Sequence, residues 1–208
     1  YLDTKHPIIS ENLMGIKRKL GVKQISKKPI LLNDLKLIIQ AITDEKNEFK
    51  KIQNKALILI GFAGGFRRSE LVSIDYDDVD FVNEGVKINI KKSKTDQIGI
   101  GMVKAIPYFE NTKFCPVVSL KEWINYAKIN SGRIFKISDK SVALIIKKYA
   151  LISGLDHSKY AGHSLRSGFA TSTAETGADE RSIMAMTGHK TTQMVRRYIQ
   201  EANLFKNN

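Results

Sequence analysis

Residues 56–71 of the chain read ALILIGFAGGFRRSEL and join the longest apolar run to a pair of arginines. The wholly apolar residues 56–60 predict the buried part of a central helix over about residues 49–62. The two glycines at 64–65 end that helix, and a short helix is expected over residues 68–74. An arginine next to a buried helix needs an acidic partner or an anionic ligand. This stretch therefore predicts a helical core beside a site for an acidic side chain or an anion.

The hydropathy pattern changes twice along the chain. Upstream it is helical, with a helix expected over residues 34–42 and Asn33 as its N-cap. Val86, Ile88 and Ile90 then alternate, as residues 98–103 do again less cleanly, which predicts a β-hairpin or small meander. After Pro116 the helical period returns, and the predicted helices cover residues 117–129, 140–153, 164–176, 179–186 and 193–202. Helices, a small sheet and more helices, without βαβ alternation, predict a mostly α fold with a small antiparallel β-sheet, of α+β type.

Composition points to a polyanionic partner. The chain has 208 residues and a formal net charge of +13, from 34 Lys and Arg against 21 Asp and Glu. Such a charge suits nucleic acid or an anionic membrane surface, although a solvated lysine-rich surface would give the same balance. Hydrophobic residues make up 42% of the chain, which is enough for a packed core, in one domain or two small ones. No apolar run approaches the ~20 residues of a membrane span, and the single Cys115 excludes an intramolecular disulfide.

Sequence signatures of metal and nucleotide sites are absent. The four histidines lack the i,i+4 or Cys-paired spacing of a metal site, and neither a Walker loop nor a GxSxG elbow occurs. We therefore expect no metal and no cofactor. His163 and Arg166 are spaced i,i+3, so on a helix they share one face, and near its first turn they would suit a phosphate.

Each candidate residue also has an ordinary explanation when it is taken alone. Arg67 could pair with Glu70 on a helix surface, and the 163–166 segment could be a solvated helix start. Tyr198 could be a half-buried core tyrosine, and Lys94 an ordinary hairpin lysine. The case for function rests on all of these residues occurring together and in order.

Taken together, the segments resemble the catalytic domain of the tyrosine recombinases, the phage-integrase family. The resemblance covers about residues 29–208. Its motifs are Gly65-Phe66-Arg67-Arg68-Ser69-Glu70-Leu71 for the first-arginine box, Ser93-Lys94-Thr95 for the hairpin lysine, His163-Ser164-Leu165-Arg166 for the His-x-x-Arg box, Gly188-His189 for the second histidine, and Tyr198 nine residues later.

The resemblance implies a role for each matched residue. Arg67 and Arg166 would clamp a scissile phosphate, which Tyr198 would attack to form a 3′-phosphotyrosyl bond and free a 5′-hydroxyl. His163 would move a proton at that step, and His189 would hydrogen-bond a phosphate oxygen. The two remaining assignments are Lys94 as the general acid for the leaving 5′ oxygen and Glu70 as a supporting carboxylate.

Two of these assignments have neighbours that compete for the role. Arg67 is chosen over Arg68 because the family pattern is Arg-x-Ser-Glu-Leu. Lys91, Lys92 and Lys94 compete for the hairpin role. Lys94 is chosen for its Ser-Lys-Thr context, but a one-strand slip would favour Lys92.

The resemblance also implies partners and a domain arrangement. The partner would be a double-stranded DNA recombination site. The protein would form a homotetramer on two such sites and would be a monomer or dimer without DNA. It implies no membrane, a prokaryotic cytoplasmic location at the nucleoid, and a basic interdomain linker over residues 1–28 that leads in from a missing N-terminal core-binding domain. Lys140, Lys147 and Lys148 are expected to contact DNA. The alternatives are a non-cleaving DNA-binding relative and a type IB topoisomerase-like DNA-relaxing enzyme.

Overall fold

The computed structural model describes residues 6–21, 27–91, 101–189 and 191–203. For residues 201–203 it describes the backbone only. Within these ranges the chain is mostly helical, with a small antiparallel sheet, which confirms the predicted fold class. The elements are α1 (Pro7–Leu20), α2 (Leu32–Thr43), α3 (Glu48–Ala63), α4 (Arg68–Val72), β1 (Val79–Val82), β2 (Gly85–Ile90), β3 (Met102–Pro107), α5 (Pro116–Tyr126), α6 (Asp139–Ile152), α7 (Ser164–Glu175), α8 (Glu180–Thr187) and α9 (Thr192–Asn203).

Helix α3 lies at the centre of the molecule. Asn47 caps its start by accepting a hydrogen bond from the Lys50 backbone N–H. Every residue from 56 to 62 is buried, as the apolar sequence predicts for a helix that is covered on all sides. Helices α5 and α7 pack directly against α3. The large hydrophobic cluster that results runs from Ile30 to Leu165 and supports the turn that follows α3.

The sheet has the strand order β1–β2–β3 and is antiparallel throughout. Ile88 and Ile90 on β2 face the core, in agreement with the predicted alternation. β1 was not predicted, because it overlaps the acidic stretch 75–80 and its side chains are exposed or only partly buried. The predicted alternation at residues 98–100 lies outside the described residues.

Several predicted element boundaries were wrong by a few residues. Asn33 is not an N-cap, because α2 begins at Leu32, two residues earlier than predicted, and its N-cap residue Leu31 makes no side-chain cap hydrogen bond. Helix α4 ends at Val72 rather than at 74, and α5 ends at Tyr126 rather than at 129. The apolar residues that extended these predictions, Ile74 and Ile129, lie in the loops that follow.

A second, small hydrophobic cluster is formed by α7, α8 and α9. Its buried members are Ala170, Ala174, Ile183, Val195 and Tyr198. Helix α7 belongs to both clusters, because Leu165 at its start is part of the large one. In the described part of the chain, no helix is both long and apolar enough to cross a membrane.

Candidate active site

The turn after α3 presents Arg67 from a buried support. Gly65 adopts a left-handed backbone (φ +55°), and a Cβ at this position would lie 2.8 Å from Cδ1 of Phe169. The carboxylate of Glu70, whose side chain is 2% exposed, accepts hydrogen bonds from the Arg67 backbone N–H at 2.9 Å and from its Nη1 at 2.5 Å. The ordinary Arg67–Glu70 pairing therefore exists. It is buried on the carboxylate side, and it fixes where the guanidinium points.

The neighbouring arginine points elsewhere. Nε of Arg68 lies 3.3 Å from a carboxylate oxygen of Asp139, the first residue of α6. This ion pair favours Arg67 as the member of the pair that belongs to the site.

The His-x-x-Arg box lies at the start of α7. His163 is the N-cap residue, so His163 and Arg166 both lie at the first turn. Arg166 is 1% exposed, and its Nη1 donates to the Gly65 carbonyl at 2.9 Å. Burial, and then the charge of Arg67, lowers the pKa of Arg166 to about 10, so its guanidinium is still a cation at pH 7. Two guanidinium groups from distant parts of the chain therefore meet at one place.

His189 is held between α8 and Arg166. The Thr187 hydroxyl donates to the Ile183 carbonyl at 2.6 Å, so it accepts from Nδ1 of His189 at 2.8 Å. This assigns the proton to Nδ1 and leaves Nε2, 3.1 Å from Nη2 of Arg166, as an acceptor. Burial, followed by the charges of Arg166 and Arg67, lowers the pKa of His189 to about 4. His189 is therefore neutral at pH 7 and accepts a hydrogen bond from Arg166.

The residue before His189 connects it to the first-arginine turn. Gly188 ends α8 in a left-handed conformation (φ +64°). Its carbonyl oxygen lies 3.3 Å from Nη2 of Arg67 and accepts a hydrogen bond from it.

Tyr198 on α9 completes the group. It is only 5% exposed, and its hydroxyl lies 3.5 Å from Nε2 of His163. Its ring is also 6.1 Å from the His189 ring, centroid to centroid. Burial, then the charges of Arg166 and Arg67, lowers the pKa of His163 below its usual range, so the imidazole is neutral at pH 7. A neutral imidazole beside a tyrosine hydroxyl can accept its proton.

The structure thus brings six of the residues singled out from the sequence into one site, namely Arg67, Glu70, His163, Arg166, His189 and Tyr198. Lys94 and its alternative Lys92 lie outside the described residues. The three lysines expected to contact DNA are on α6: Lys140 and Lys148 are exposed and Lys147 is half-buried. Lys148 already forms an ion pair with Glu45 at 2.6 Å.

Sequence reasoning missed two residues that support this site, Thr187 and Lys104. Thr187 orients His189, and the polar residue just before Gly188-His189 was the available signal. Lys104 is fully buried on β3, where Ile106 also faces inward. Because side chains alternate along a strand, an inward Ile106 also turns residue 104 inward, so the pattern contained this signal too.

The group carries positive charge without a set of metal ligands. In the ranges that the structure describes, no cluster of three or more His, Cys, Asp or Glu side chains could hold a metal ion. Arg67 and Arg166 contribute guanidinium groups to the site, and such groups match the oxygens of a phosphate in pairs.

Comparison with known proteins agrees with this arrangement. The family model described as "Phage integrase family" matches residues 30–204. The chain belongs to the phage integrase family. The recognition made from its motifs is thereby confirmed. An integrase/recombinase xerD homolog of Selenomonas ruminantium is 44% identical over 98% of this chain and 63% of its own length.

Two further proteins to which this phage integrase family member is similar are recombinases. A tyrosine recombinase XerC of Syntrophus aciditrophicus is 29% identical over 71% of this chain and 48% of its own length. The chain thus spans about half to two thirds of the length of these two relatives. The XerH site-specific recombinase bound to palindromic difH substrate, in a post-cleavage complex, superposes with a TM-score of 0.69 at 18% identity, covering 88% of this chain and 54% of XerH. That likeness shows a shared fold.

Proposed function

We propose that this chain is the catalytic part of a site-specific DNA recombinase, an integrase that cleaves and rejoins DNA through a 3′-phosphotyrosyl intermediate. One observation carries the proposal: the Tyr198 hydroxyl lies 3.5 Å from the neutral His163 imidazole, in a site that also holds the buried Arg166 guanidinium. A nucleophile, a base and an anion clamp in one place fit attack on a phosphodiester.

The proposed cleavage step exchanges one phosphoester bond for another. The Tyr198 oxygen forms a bond to phosphorus while the bond from phosphorus to the 5′ oxygen breaks. His163 takes the tyrosine proton, and the hairpin lysine, Lys94 or alternatively Lys92, gives a proton to the leaving oxygen. Because the phosphotyrosyl bond keeps the energy of the broken linkage, rejoining by a 5′-hydroxyl needs no ATP.

The arginines supply the positive charge that this step requires. Arg67 now donates a hydrogen bond to the Gly188 carbonyl, and Arg166 donates one to the Gly65 carbonyl. As negative charge develops on the phosphate oxygens, these N–H groups would donate to those oxygens instead. The Nε–H of Arg166 is buried and has no hydrogen-bond partner among the described residues, so an anion that reached it would satisfy this donor. Glu70 would keep Arg67 oriented. His189 would donate a hydrogen bond from Nε2 to a phosphate oxygen. For this the ring proton moves from Nδ1 to Nε2, and the Thr187 hydroxyl turns its own proton toward Nδ1.

We further propose a double-stranded recombination site as the partner, with four protomers assembling on two such sites. The net charge of +13 supports a nucleic-acid partner, and the XerH and lambda integrase structures with this fold are of DNA-bound proteins. Lys140, Lys147 and Lys148 would contact DNA phosphates. Residues 1–28 would be a basic linker to a further DNA-binding domain. In this proposal the protein works in the cytoplasm, at the nucleoid.

A covalent adduct tests the proposal. The Tyr198→Phe variant is used to select duplexes from a random pool, and the unaltered chain is then incubated with nicked versions of the selected duplexes, which trap the intermediate. We expect an adduct that Tyr198→Phe lacks and that Tyr126→Phe, at an exposed tyrosine of α5, retains. DNA binding without an adduct on any selected duplex would contradict the proposal in favour of a non-cleaving relative. Relaxation of supercoiled plasmid by a monomer, without a selected site, would instead identify a type IB topoisomerase-like enzyme.

A further inference from the structure

Lys104 is a buried cation that the cleavage chemistry above leaves without a role. Its relative exposure is 0%, and its Nζ donates to the Gly64 carbonyl at 2.7 Å and also to the Met186 carbonyl. The same ammonium group lies over the Phe66 ring, 4.8 Å from its centroid. Lysine is almost never fully buried unless it is paired. Both of these acceptors are backbone carbonyls, so the contacts fix backbone segments rather than another side chain.

The two segments that Lys104 joins are those that hold the phosphate-binding side chains. Gly64 lies in the turn that leads to Arg67, three residues later. Met186 lies in the last turn of α8, where unpaired carbonyls make the helix end negative and favour a cation. His189 follows three residues later. The Lys104 ammonium group therefore connects β3 to the turn after α3 and to the end of α8. The hydrogen bond from Arg67 to the Gly188 carbonyl joins the same two segments.

The charges around Lys104 are those of the site itself. Burial is the main reason that the pKa of Lys104 is lowered to about 8. The negative charge of Glu70 raises this pKa, and the positive charges of Arg166 and Arg67 lower it. At pH 7 the group is therefore still mostly charged. An anion that binds beside the two arginines would favour the charged form further.

We propose that Lys104 is a positioning residue of the phosphate site, which fixes the first-arginine turn against the end of α8 so that Arg67 and His189 face the same phosphate. This inference rests on the proposed function and assigns it a further residue. Lys104 touches backbone carbonyls, so it acts through the two segments that it joins.

Three variants of the chain test this role. Lys104→Met keeps an aliphatic chain of similar length but removes the charge and both donated hydrogen bonds. Lys104→Arg keeps a cation on a long side chain that carries several N–H donors. Lys87→Met is the matched control, because Lys87 lies on the neighbouring strand β2 with its side chain exposed.

The decisive readout separates the rate of chemistry from DNA affinity. For Lys104→Met we expect the first-order rate constant of adduct formation on saturating nicked duplex to fall about 10- to 100-fold, because small misplacements of catalytic groups carry losses of this size. The dissociation constant for DNA should stay within about threefold, since most DNA contacts go to phosphates outside the site. Lys104→Arg should recover most of the rate, and Lys87→Met should match the unaltered chain. A lower melting temperature with an unchanged rate constant would overturn the proposal.

A second readout needs no DNA. In 15N spectra of labelled histidine, the unaltered chain should show His189 with its proton on Nδ1, as the Thr187 contact assigns it. Lys104→Met should change the His189 signals, and Lys87→Met should leave them as they are. Unchanged signals together with an unchanged rate would overturn the role of Lys104. Changed signals in a chain that forms no adduct at all would refute the proposed function while keeping the positioning role.

Discussion

The two halves of the site are supported by hydrophobic clusters of very different size. The arginine half, with Arg67 and Glu70, is built on the turn after α3 and is supported by the large hydrophobic cluster. The tyrosine half lies on α8 and α9, where the small cluster has five buried members among the described residues, including Tyr198 itself. Arg166 joins the halves, because it bonds to the Gly65 carbonyl on one side and to His189 on the other. The anion clamp therefore rests on the larger core and the nucleophile on the smaller one, and we expect the segment with the smaller core to open more readily.

Among the variants that compare the two halves, we expect the largest loss of rate from replacing Arg166, the residue that joins them. Arg166→Lys keeps a positive charge but loses the planar fork that reaches both Gly65 and His189. The rate constant of adduct formation should fall by about 10²–10³-fold, the usual cost of losing a donor to a developing oxyanion. Single-turnover assays measure this loss. Arg68→Lys, which alters the outward-facing neighbour, is the control, and equal rates for the two variants would refute the assignment.

Cavity-forming variants compare the two clusters directly. Ile38→Ala empties a fully buried position in the large cluster, and Ile183→Ala does so in the small one. Each should reduce stability by about 2–5 kcal/mol, the range for deleting a buried isoleucine side chain. Hydrogen exchange should show general weakening for Ile38→Ala but local opening of α8 and α9 for Ile183→Ala. Similar exchange patterns in both variants would show that the two halves unfold as one unit.

The sequence predicted the arginine half and the helical order well, and it did so for a physical reason. The apolar residues 56–60 favour a helix covered on all sides, and the glycines that follow favour a turn, so the sequence placed Arg67 beside the core. Local spacing likewise placed His163 and Arg166 at the start of α7. Contacts between distant segments were not visible in this way. The bond from Arg166 to Gly65 spans 101 residues, and that from Lys104 to Met186 spans 82.

Glu70→Gln tests the support of the arginine half. The amide oxygen of glutamine can still accept from the Arg67 backbone N–H, but the charge that holds the guanidinium is lost. We expect adduct formation to slow about tenfold, which corresponds to the ~1.4 kcal/mol of a moderate charged hydrogen bond. Glu48→Gln is the control, because this exposed carboxylate forms an i,i+3 pair with the half-buried Lys51. If Glu70→Gln formed the adduct as fast as Glu48→Gln, the supporting role of Glu70 would be refuted.

Acid should weaken the tyrosine half through its histidines. The pKa of His189 is about 4 in the folded chain, below its ordinary value of 6.5, so between these values the unfolded chain binds more protons. The free energy of unfolding should therefore fall as the pH is lowered through this window, and the lowered pKa of His163 acts in the same direction. Urea unfolding at several pH values measures this slope. His189→Gln should flatten it, and an unchanged slope would contradict the burial of a neutral imidazole.

The smallest effects are expected outside both halves, on α6. Lys140→Ala and Lys147→Ala should each reduce the salt dependence of DNA binding by about 0.9 in the slope of log K against log salt, the value for one lost phosphate contact. Lys148→Ala should reduce it less, because Glu45 already neutralises that lysine. Binding titrations at several salt concentrations measure the slopes. Equal slopes for all three variants and the unaltered chain would place DNA on another surface.

The most direct test of the account is to locate the covalent bond itself. The adduct formed on a nicked duplex is digested with protease and nuclease, and the nucleotide-bearing peptide is identified by mass spectrometry. The account predicts a nucleotide joined through its 3′ phosphate to Tyr198, with a free 5′-hydroxyl on the released strand. Attachment to any other residue, or through a 5′ phosphate, would contradict it.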